Sequence, residues 1–179
     1  MNTQYSPKES RHIVHKARDL CDGLGASIRV VRVATGFIEL DVSVAPSLLD
    51  ELIGRLRPIG GLDNIRHVTE EEEITKDEGI VEGISYFNGE RFWEAHEAWE
   101  GAWKKCSGDE KSLVQGIILV AVAFAHSQKN DDDIGINMFG RALEKMGEFA
   151  GIYHNIDVGR IRSKITAMMD ERRMELFRI

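Results

Sequence analysis

The stretch FNGERFWEAHEAWEGAWKK, residues 87–105, holds all three tryptophans of the chain beside a histidine and several glutamates. A helix advances about 100° per residue, which places Phe92, His96, Trp99 and Trp103 on one stripe. This spacing predicts a helix over 91–105 whose buried face also carries a histidine. Glu100 lies one turn from His96, so a carboxylate accompanies the imidazole.

Apolar residues recur at helical spacing through the whole of residues 76–179. We predict helices over 79–87, 91–105, 110–129 and 131–152, and a fifth that begins after Asn155-Ile156-Asp157 and ends near Arg173. Between Gln115 and His126 the third of these is apolar almost all round, which is typical of a buried helix. The sequence therefore predicts a compact all-α bundle of about five helices.

Residues 1–75 show a different pattern, in which helical and alternating segments follow one another. We predict a helix that begins at Ser6-Pro7, strands over 27–34 and 38–44, a helix that begins at Pro46, and a strand over 62–68. The order α-β-β-α-β predicts a small α+β layer that is similar to a ferredoxin-like fragment. The acidic run over 69–78 is typical of a linker, so we expect two domains, 1–75 and 76–179.

Composition excludes several classes of function. The chain has 179 residues and a net charge of −7, which argues against nonspecific binding to nucleic acid. It has no apolar run long enough to cross a membrane and no signal-peptide core, so we expect a cytoplasmic protein without a membrane partner. Its two cysteines, Cys21 and Cys106, belong to no metal-binding or redox spacing and are expected to be reduced and structural.

The polar residues of helix 91–105 could form a metal site. His96 and Glu100, at positions i and i+4, can point at one ion, and His126 from the next helix is the best candidate for a third ligand. Glu97 would then act as general base in a metal-dependent hydrolase, with zinc, manganese or iron as the divalent metal. The spacing of His96, Glu97 and Glu100 is that of a zincin HExxH motif with Glu in place of the second His.

Further residues could bind the substrate or support the ligands. Gln115 would orient a ligand or the substrate, and Arg141 on the fourth helix would either hold an anionic substrate or form a surface ion pair. Glu94 points nearly opposite to Phe92, toward solvent or another element. The candidate residues outside the ligand set are Glu94, Gln115, Trp103 and Arg141.

Two other interpretations fit the same residues. The cluster can be a buried structural hydrogen-bond network inside a non-catalytic binding or scaffold protein, with the N-terminal layer recruiting a partner or forming a homodimer. Alternatively, Trp93, Trp99 and Trp103 can wall a pocket for a small molecule. Metal content and ligand-dependent tryptophan fluorescence distinguish these interpretations.

The segment FNGERFWEAHEAWEGAWK, followed by QGIILVAVAFAH, resembles the domain of unknown function 309 family, a group sometimes labelled predicted metal-dependent hydrolases. The resemblance covers about residues 76–150 and implies a small helical bundle, whereas residues 1–75 look like an extra module. Its signature is similar to FNxGxFxEAHExxExxW, and Asn88-Gly89-Glu90 departs slightly from the expected order of Gly. The matching positions are Phe87, Asn88, Glu90, Phe92, Glu94, His96, Glu97, Glu100, Trp103, Gln115, Gly116 and His126.

Overall fold

The computed structural model describes residues 4–67 and 74–179, which form two compact units. The N-terminal unit consists of residues up to 67 together with 128–130, and the C-terminal unit consists of the remaining described residues. The helices and strands of the N-terminal unit are α1 (Ser10–Leu20), β1 (Ser27–Val33), β2 (Ile38–Ser43) and α2 (Leu49–Leu56).

Helices α1 and α2 and the β1–β2 sheet enclose the core of the N-terminal unit. The strands pair antiparallel, with Val31 opposite Leu40. The apolar residues of α1 face this core, and Ile13 and Ala17 are fully inaccessible. Two cross-strand ion pairs, Arg29–Asp41 and Arg32–Glu39, connect the strands on their polar positions.

The third strand predicted over 62–68 is wrong for residues 62–67, which form no regular structure. Leu62 and Ile65, the apolar residues that suggested a strand, are about half exposed. Asp63 and Asn64 between them are poor strand formers, so the segment lacks the propensity to pair. Residue 68 and the linker residues 69–73 lie outside the described residues. The described residues of this unit thus give a two-stranded sheet, and the ferredoxin-like layer is not confirmed.

The C-terminal unit is the predicted bundle of five helices. They are α3 (Lys76–Asn88), α4 (Phe92–Trp103), α5 (Gly108–Ser127), α6 (Asp132–Met146) and α7 (Val158–Glu171). Each helix packs on the next along the chain. Helix α3 begins three residues earlier than predicted because Thr75 and Glu78 form a capping box around its first turn.

The helix predicted over 131–152 is shorter than expected. It ends at Gly147, whose φ of 56° leaves the helical region. A short hairpin follows, with β3 (Ile152–Tyr153) antiparallel to β4 (Ile156–Asp157). Its two turn residues, His154 and Asn155, both have positive φ, as a type I′ turn requires.

The core of the bundle is centred on α5 and rich in aromatic rings. Phe124 of α5 stacks on Phe92 of α4 at 5.0 Å and contacts Phe87 of α3 and Phe139 of α6 edge-on. Trp99 is buried beside Phe87, and its indole nitrogen donates to the Ile80 carbonyl at 3.2 Å. Among the described residues, the helices are too short or too polar to cross a membrane.

Candidate functional site

The turn between α3 and α4 sets where α4 begins. The backbone N–H of Glu90 donates to the Phe87 carbonyl and that of Arg91 to the Tyr86 carbonyl, which together form a Schellman motif. The left-handed residue is Glu90, with φ of 59°, and not the preceding Gly89. The altered order of Gly in this chain therefore places a side chain where glycine is preferred, and the turn closes nevertheless.

Helix α4 is buried on about half of its circumference. Phe92 and Trp99 are each 1% exposed, whereas His96 and Trp103, predicted to share their buried stripe, are half-buried at its edge. The half-buried sector of α4 contains Trp93, His96, Glu97, Glu100, Gly101 and Trp103. The polar cluster thus lies at the surface of the bundle and not in its interior.

Between Leu113 and Ala125, helix α5 has one half-buried stripe among positions that are otherwise buried. Gln115, Leu119 and Val122 form this stripe, and Lys111 and His126 extend it by one turn at either end. Gln115 and His126 therefore lie on the least buried side of a helix whose apolar composition predicted full burial. We call the half-buried residues of α4 and this stripe of α5 the hairpin face.

Contacts within α4 fix the aromatic and polar groups of the hairpin face. The Trp93 indole nitrogen donates to Glu97 Oε1 at 2.9 Å, and the Trp93 ring lies against the His96 ring at 4.7 Å between centroids. His96 Nε2 lies 3.5 Å from Glu100 Oε2, with 19% and 46% of the two side chains exposed. These contacts follow the i, i+3 and i, i+4 spacing of the helix surface.

The contact between Trp103 and Lys111 joins the two helices of the hairpin face. The Lys111 ammonium lies 4.2 Å from the Trp103 ring centroid, a cation–π distance. Trp103 is therefore level with Lys111, and at the other end Phe92 is level with Phe124. Lys111 was not among the predicted site residues, although its position four residues before Gln115 is a signal that could have found it.

This antiparallel register separates the two predicted histidine ligands. Interpolation between these two contacts puts Leu119 level with His96, and Leu119 precedes His126 by two helical turns, roughly 10 Å along the axis. His126 Nδ1 lies 3.9 Å from an Asp131 carboxylate oxygen at the end of α5. His96 and Glu100 are therefore adjacent, whereas His126 belongs to the far end of the hairpin face.

Within the described residues, no three His, Cys, Asp or Glu side chains are grouped so that they could hold a metal ion. The structure thus places His96 beside Glu100 and Glu97 on the same face, without bringing His126 to them. Metal binding by these residues stays a prediction.

The remaining predicted residues are spread around the bundle. Glu94 is buried and accepts a hydrogen bond from Arg91 Nε at 2.8 Å, while Arg91 also lies over the Tyr86 ring. Glu94 thus faces the interior and not solvent, and its contact with Arg91 lies at the first turn of α4. Gln115 lies on the hairpin face, and Arg141 is exposed on α6.

A second polar cluster, not predicted from the sequence, joins the first turn of α3, the first turn of α5 and strand β3. Glu110 in the first turn of α5 accepts from Lys76 Nζ at 2.8 Å and from the Tyr153 hydroxyl at 3.0 Å. The Lys76 hydrogen bond lowers the pKa of Glu110, and burial raises that of Tyr153. Burial also raises the pKa of the Cys106 thiol, which agrees with a structural, unreactive cysteine. Its members are too far apart in sequence for any spacing to have signalled it.

The fold and the hairpin face define a class: a five-helix bundle whose second helix presents a histidine, carboxylates and two tryptophans at a half-buried surface. The family model described as Domain of unknown function (DUF309) matches residues 80–138, from α3 into α6. This match covers less than half of the chain and contains the whole hairpin face, so it supports the resemblance at the level of a domain of unknown function. No curated protein matches the chain.

Proposed function

We propose that this chain is a binding protein whose ligand site is the hairpin face, and that the ligand is a small molecule with polar and apolar parts. The observation that carries the proposal is the fixed position of Trp93, which both Glu97 and His96 hold at a partly exposed surface. Groups that are held in place before binding lose little conformational entropy when a ligand docks. An aromatic ring beside carboxylates can contact an apolar part and a polar part of one ligand.

The buried Trp99 is not part of this site, because its ring is enclosed and its indole nitrogen is bonded to Ile80. Trp93 and Trp103 supply the aromatic surface instead. They lie nearly three helical turns apart along α4, so the ligand would run along the hairpin or contact one end of it.

Ligand binding to the full chain, measured calorimetrically over a small-molecule library, tests the proposal. We expect a ligand whose affinity falls at least about tenfold in Trp93→Phe, which removes the indole N–H, and in Glu100→Ala. The matched control is His12→Ala, which changes an exposed residue of α1 in the other unit and should leave affinity unchanged. Ligands that keep their full affinity in both face variants would show that the site lies elsewhere.

A metal-dependent hydrolase is the second candidate, and one distance favours it. Two ligands of a tetrahedral ion with bonds of ~2.0–2.2 Å lie about 3.4 Å apart, close to the 3.5 Å between His96 Nε2 and Glu100 Oε2. These two residues would hold a zinc, manganese or iron ion, which would supply an activated water for hydrolysis. Glu97, the proposed general base, receives the Trp93 hydrogen bond and would have to accept the proton on its other oxygen.

Metal analysis of the purified full chain distinguishes the two candidates. One equivalent of metal that is lost in His96→Ala and kept in His12→Ala would support the hydrolase. Metal that survives His96→Ala, or protein that takes up none when zinc, manganese and iron are supplied, would exclude a centre at His96. The cytoplasmic location and the homodimer stay predictions.

A further inference from the structure

The end of the chain, residues 173–179, is bound firmly to the bundle, and we call it the C-terminal segment. The Phe177 ring packs into the aromatic core, 5.7 Å from the Phe87 ring between centroids. The side chain of Asn88 donates from Nδ2 to the Ile179 carbonyl at 3.0 Å and accepts at Oδ1 from the Ile179 backbone N–H at 2.9 Å. These contacts fix the backbone on both sides of the residue between Phe177 and Ile179.

A cavity of about 180 Å³ lies between the C-terminal segment and the turn that joins α3 to α4. Leu176 and Arg178 at its edge are exposed, so the cavity opens to solvent. A cavity of about 150 Å³ holds one benzene molecule, so this one accommodates a small ligand while the segment stays in place. None of the residues that line the cavity belongs to the hairpin face, and they are Phe87, Asn88, Glu90, Phe92, Leu176, Phe177 and Arg178.

The lining of the cavity contains one negative and one positive side chain. Glu90 belongs to the turn between the helices, and Arg178 belongs to the C-terminal segment. Within the described residues, the Arg178 guanidinium has no hydrogen-bond or ion-pair partner. A guanidinium binds a carboxylate through two parallel hydrogen bonds, and a carboxylate accepts hydrogen bonds from an ammonium. One small molecule that carries both charges can therefore pair with both residues.

The backbone conformation of Glu90 is unusual for a residue with a side chain. Its φ of 59° lies in the left-handed region, which glycine adopts without strain, whereas the preceding Gly89 has a φ of −90°. Strained residues of this kind cluster at binding sites, where the position of the side chain is part of the function. Glu90 thus brings a carboxylate to the cavity at a position where the turn alone favours glycine.

We propose that this cavity binds a small zwitterion with an apolar side chain, namely an apolar α-amino acid. The carboxylate of the ligand pairs with Arg178, and its ammonium pairs with Glu90. The apolar side chain of the ligand lies against Phe87 and Phe92. Because the backbone of both walls is fixed before binding, the ligand loses little affinity to ordering of the protein. This proposal does not depend on the function proposed for the hairpin face.

Calorimetric titration of the full chain with valine, leucine and methionine tests the proposal, and we expect saturable binding. Two analogues of leucine separate the charges, since isocaproate lacks the ammonium and isoamylamine lacks the carboxylate. Each should bind at least about tenfold more weakly than leucine, because each loses one charge-assisted pair.

Two variants assign the charges to residues. Arg178→Gln should weaken leucine binding at least about tenfold and leave isoamylamine binding within about twofold of wild type. Glu90→Gln should weaken leucine binding equally and leave isocaproate binding unchanged. The matched control is Arg173→Gln, which changes an exposed arginine of the same segment outside the cavity and should leave leucine binding within about twofold of wild type.

Two-dimensional NMR on wild type locates the ligand without any variant. Leucine should shift the side-chain amide resonances of Asn88, which lines the cavity, and leave those of Gln115 on the hairpin face unchanged. No saturable binding of the three amino acids at about 10 mM would overturn the proposal, and so would full affinity in Arg178→Gln. Leucine that shifts Gln115 and not Asn88 would also overturn it, because the ligand would then lie at the hairpin face.

Discussion

The packing of α3 against α4 predicts opposite effects for two glycine-to-alanine substitutions. A Cβ atom added at Gly83 would lie 2.0 Å from Trp99 Nε1 and 2.3 Å from Trp99 Cδ1, far inside van der Waals contact. A Cβ added at Gly101, within α4, would meet only the Ile74 side chain, at 3.9 Å and beyond. Both glycines are helical, so the two changes share their effect on backbone entropy and differ in the space available.

The size of the destabilisation follows from the packing and the hydrogen bond that Trp99 would lose. Its ring is 1% exposed and wedged against Phe87, so Gly83→Ala forces either the ring or the helix to move. Overpacking costs about 1–3 kcal/mol, and losing the buried hydrogen bond to Ile80 adds about 1–3 kcal/mol. After subtracting the shared gain of about 0.5–1 kcal/mol from the backbone, we expect Gly83→Ala to lower the free energy of unfolding by about 3 kcal/mol. Gly101→Ala should raise it by about 0.5–1 kcal/mol, because alanine restricts the unfolded chain more than glycine does.

Urea unfolding followed by tryptophan fluorescence measures both effects, since all three tryptophans lie on α4. Equal slopes for the three proteins would show that the substitutions change stability and not the extent of unfolding. A Gly83→Ala protein within about 1 kcal/mol of wild type would refute the reasoning. So would a Gly101→Ala protein that is destabilised as strongly as Gly83→Ala, because the space at the two positions would then not decide the outcome.

Three further predictions concern the turn, the second polar cluster and the hairpin face. Glu90→Gly should raise the free energy of unfolding by about 1 kcal/mol in the same urea assay, since glycine adopts the left-handed conformation without strain; a loss would show that the Glu90 side chain matters more. Because Lys76 lowers the pKa of Glu110 below its usual 4.5, the stability that Glu110 contributes is present above that value and is lost as pH falls through the folded pKa. Thermal melts below about pH 5 should therefore show a shallower loss in Glu110→Gln than in wild type, and identical slopes would contradict this. Trp93→Phe should cost about 1 kcal/mol through the lost bond to Glu97, measured by chemical unfolding, and a neutral result would mean that solvent replaces that bond fully.

Helical periodicity was sufficient to predict the bundle because each of its helices has an apolar face that repeats over several turns. The predictions were wrong for short segments, in which only a few residues indicate the secondary structure. Residues 62–67 contain apolar side chains that no neighbouring strand covers, and the hairpin over 152–157 depends on two positive-φ residues, His154 and Asn155, that sequence patterns do not mark. Local composition predicts an element well only when packing along its whole length agrees with it.

The residues of the candidate site are less deeply buried than the sequence pattern predicted. A helical wheel gives the angle between His96 and Trp99 but does not show which side of α4 faces the core. In the structure the core lies on the side of Trp99, so Trp99 is buried and His96 lies at the edge of the buried side. The wheel of α5 likewise groups Gln115 with His126 correctly, yet the side of α5 that they occupy is the side left uncovered. Which side is covered depends on α4 and α6, and this information is absent from the sequence of α5 alone.

The position of the polar residues at the edge explains how one helix can carry large aromatic side chains and charged groups together. At a half-buried surface, a carboxylate keeps part of its hydration, so Glu97 and Glu100 can be held near Trp93 and His96 without the desolvation cost of full burial. Spacing of i and i+4 lets each pair form within α4 itself, which is why the arrangement needs no partner helix. The one predicted metal ligand on another helix, His126, is the one that the register places two turns away. A site confined to α4 can bind a ligand or chelate an ion through His96 and Glu100, and measuring metal content and ligand affinity in the same His96→Ala protein decides which of these it does.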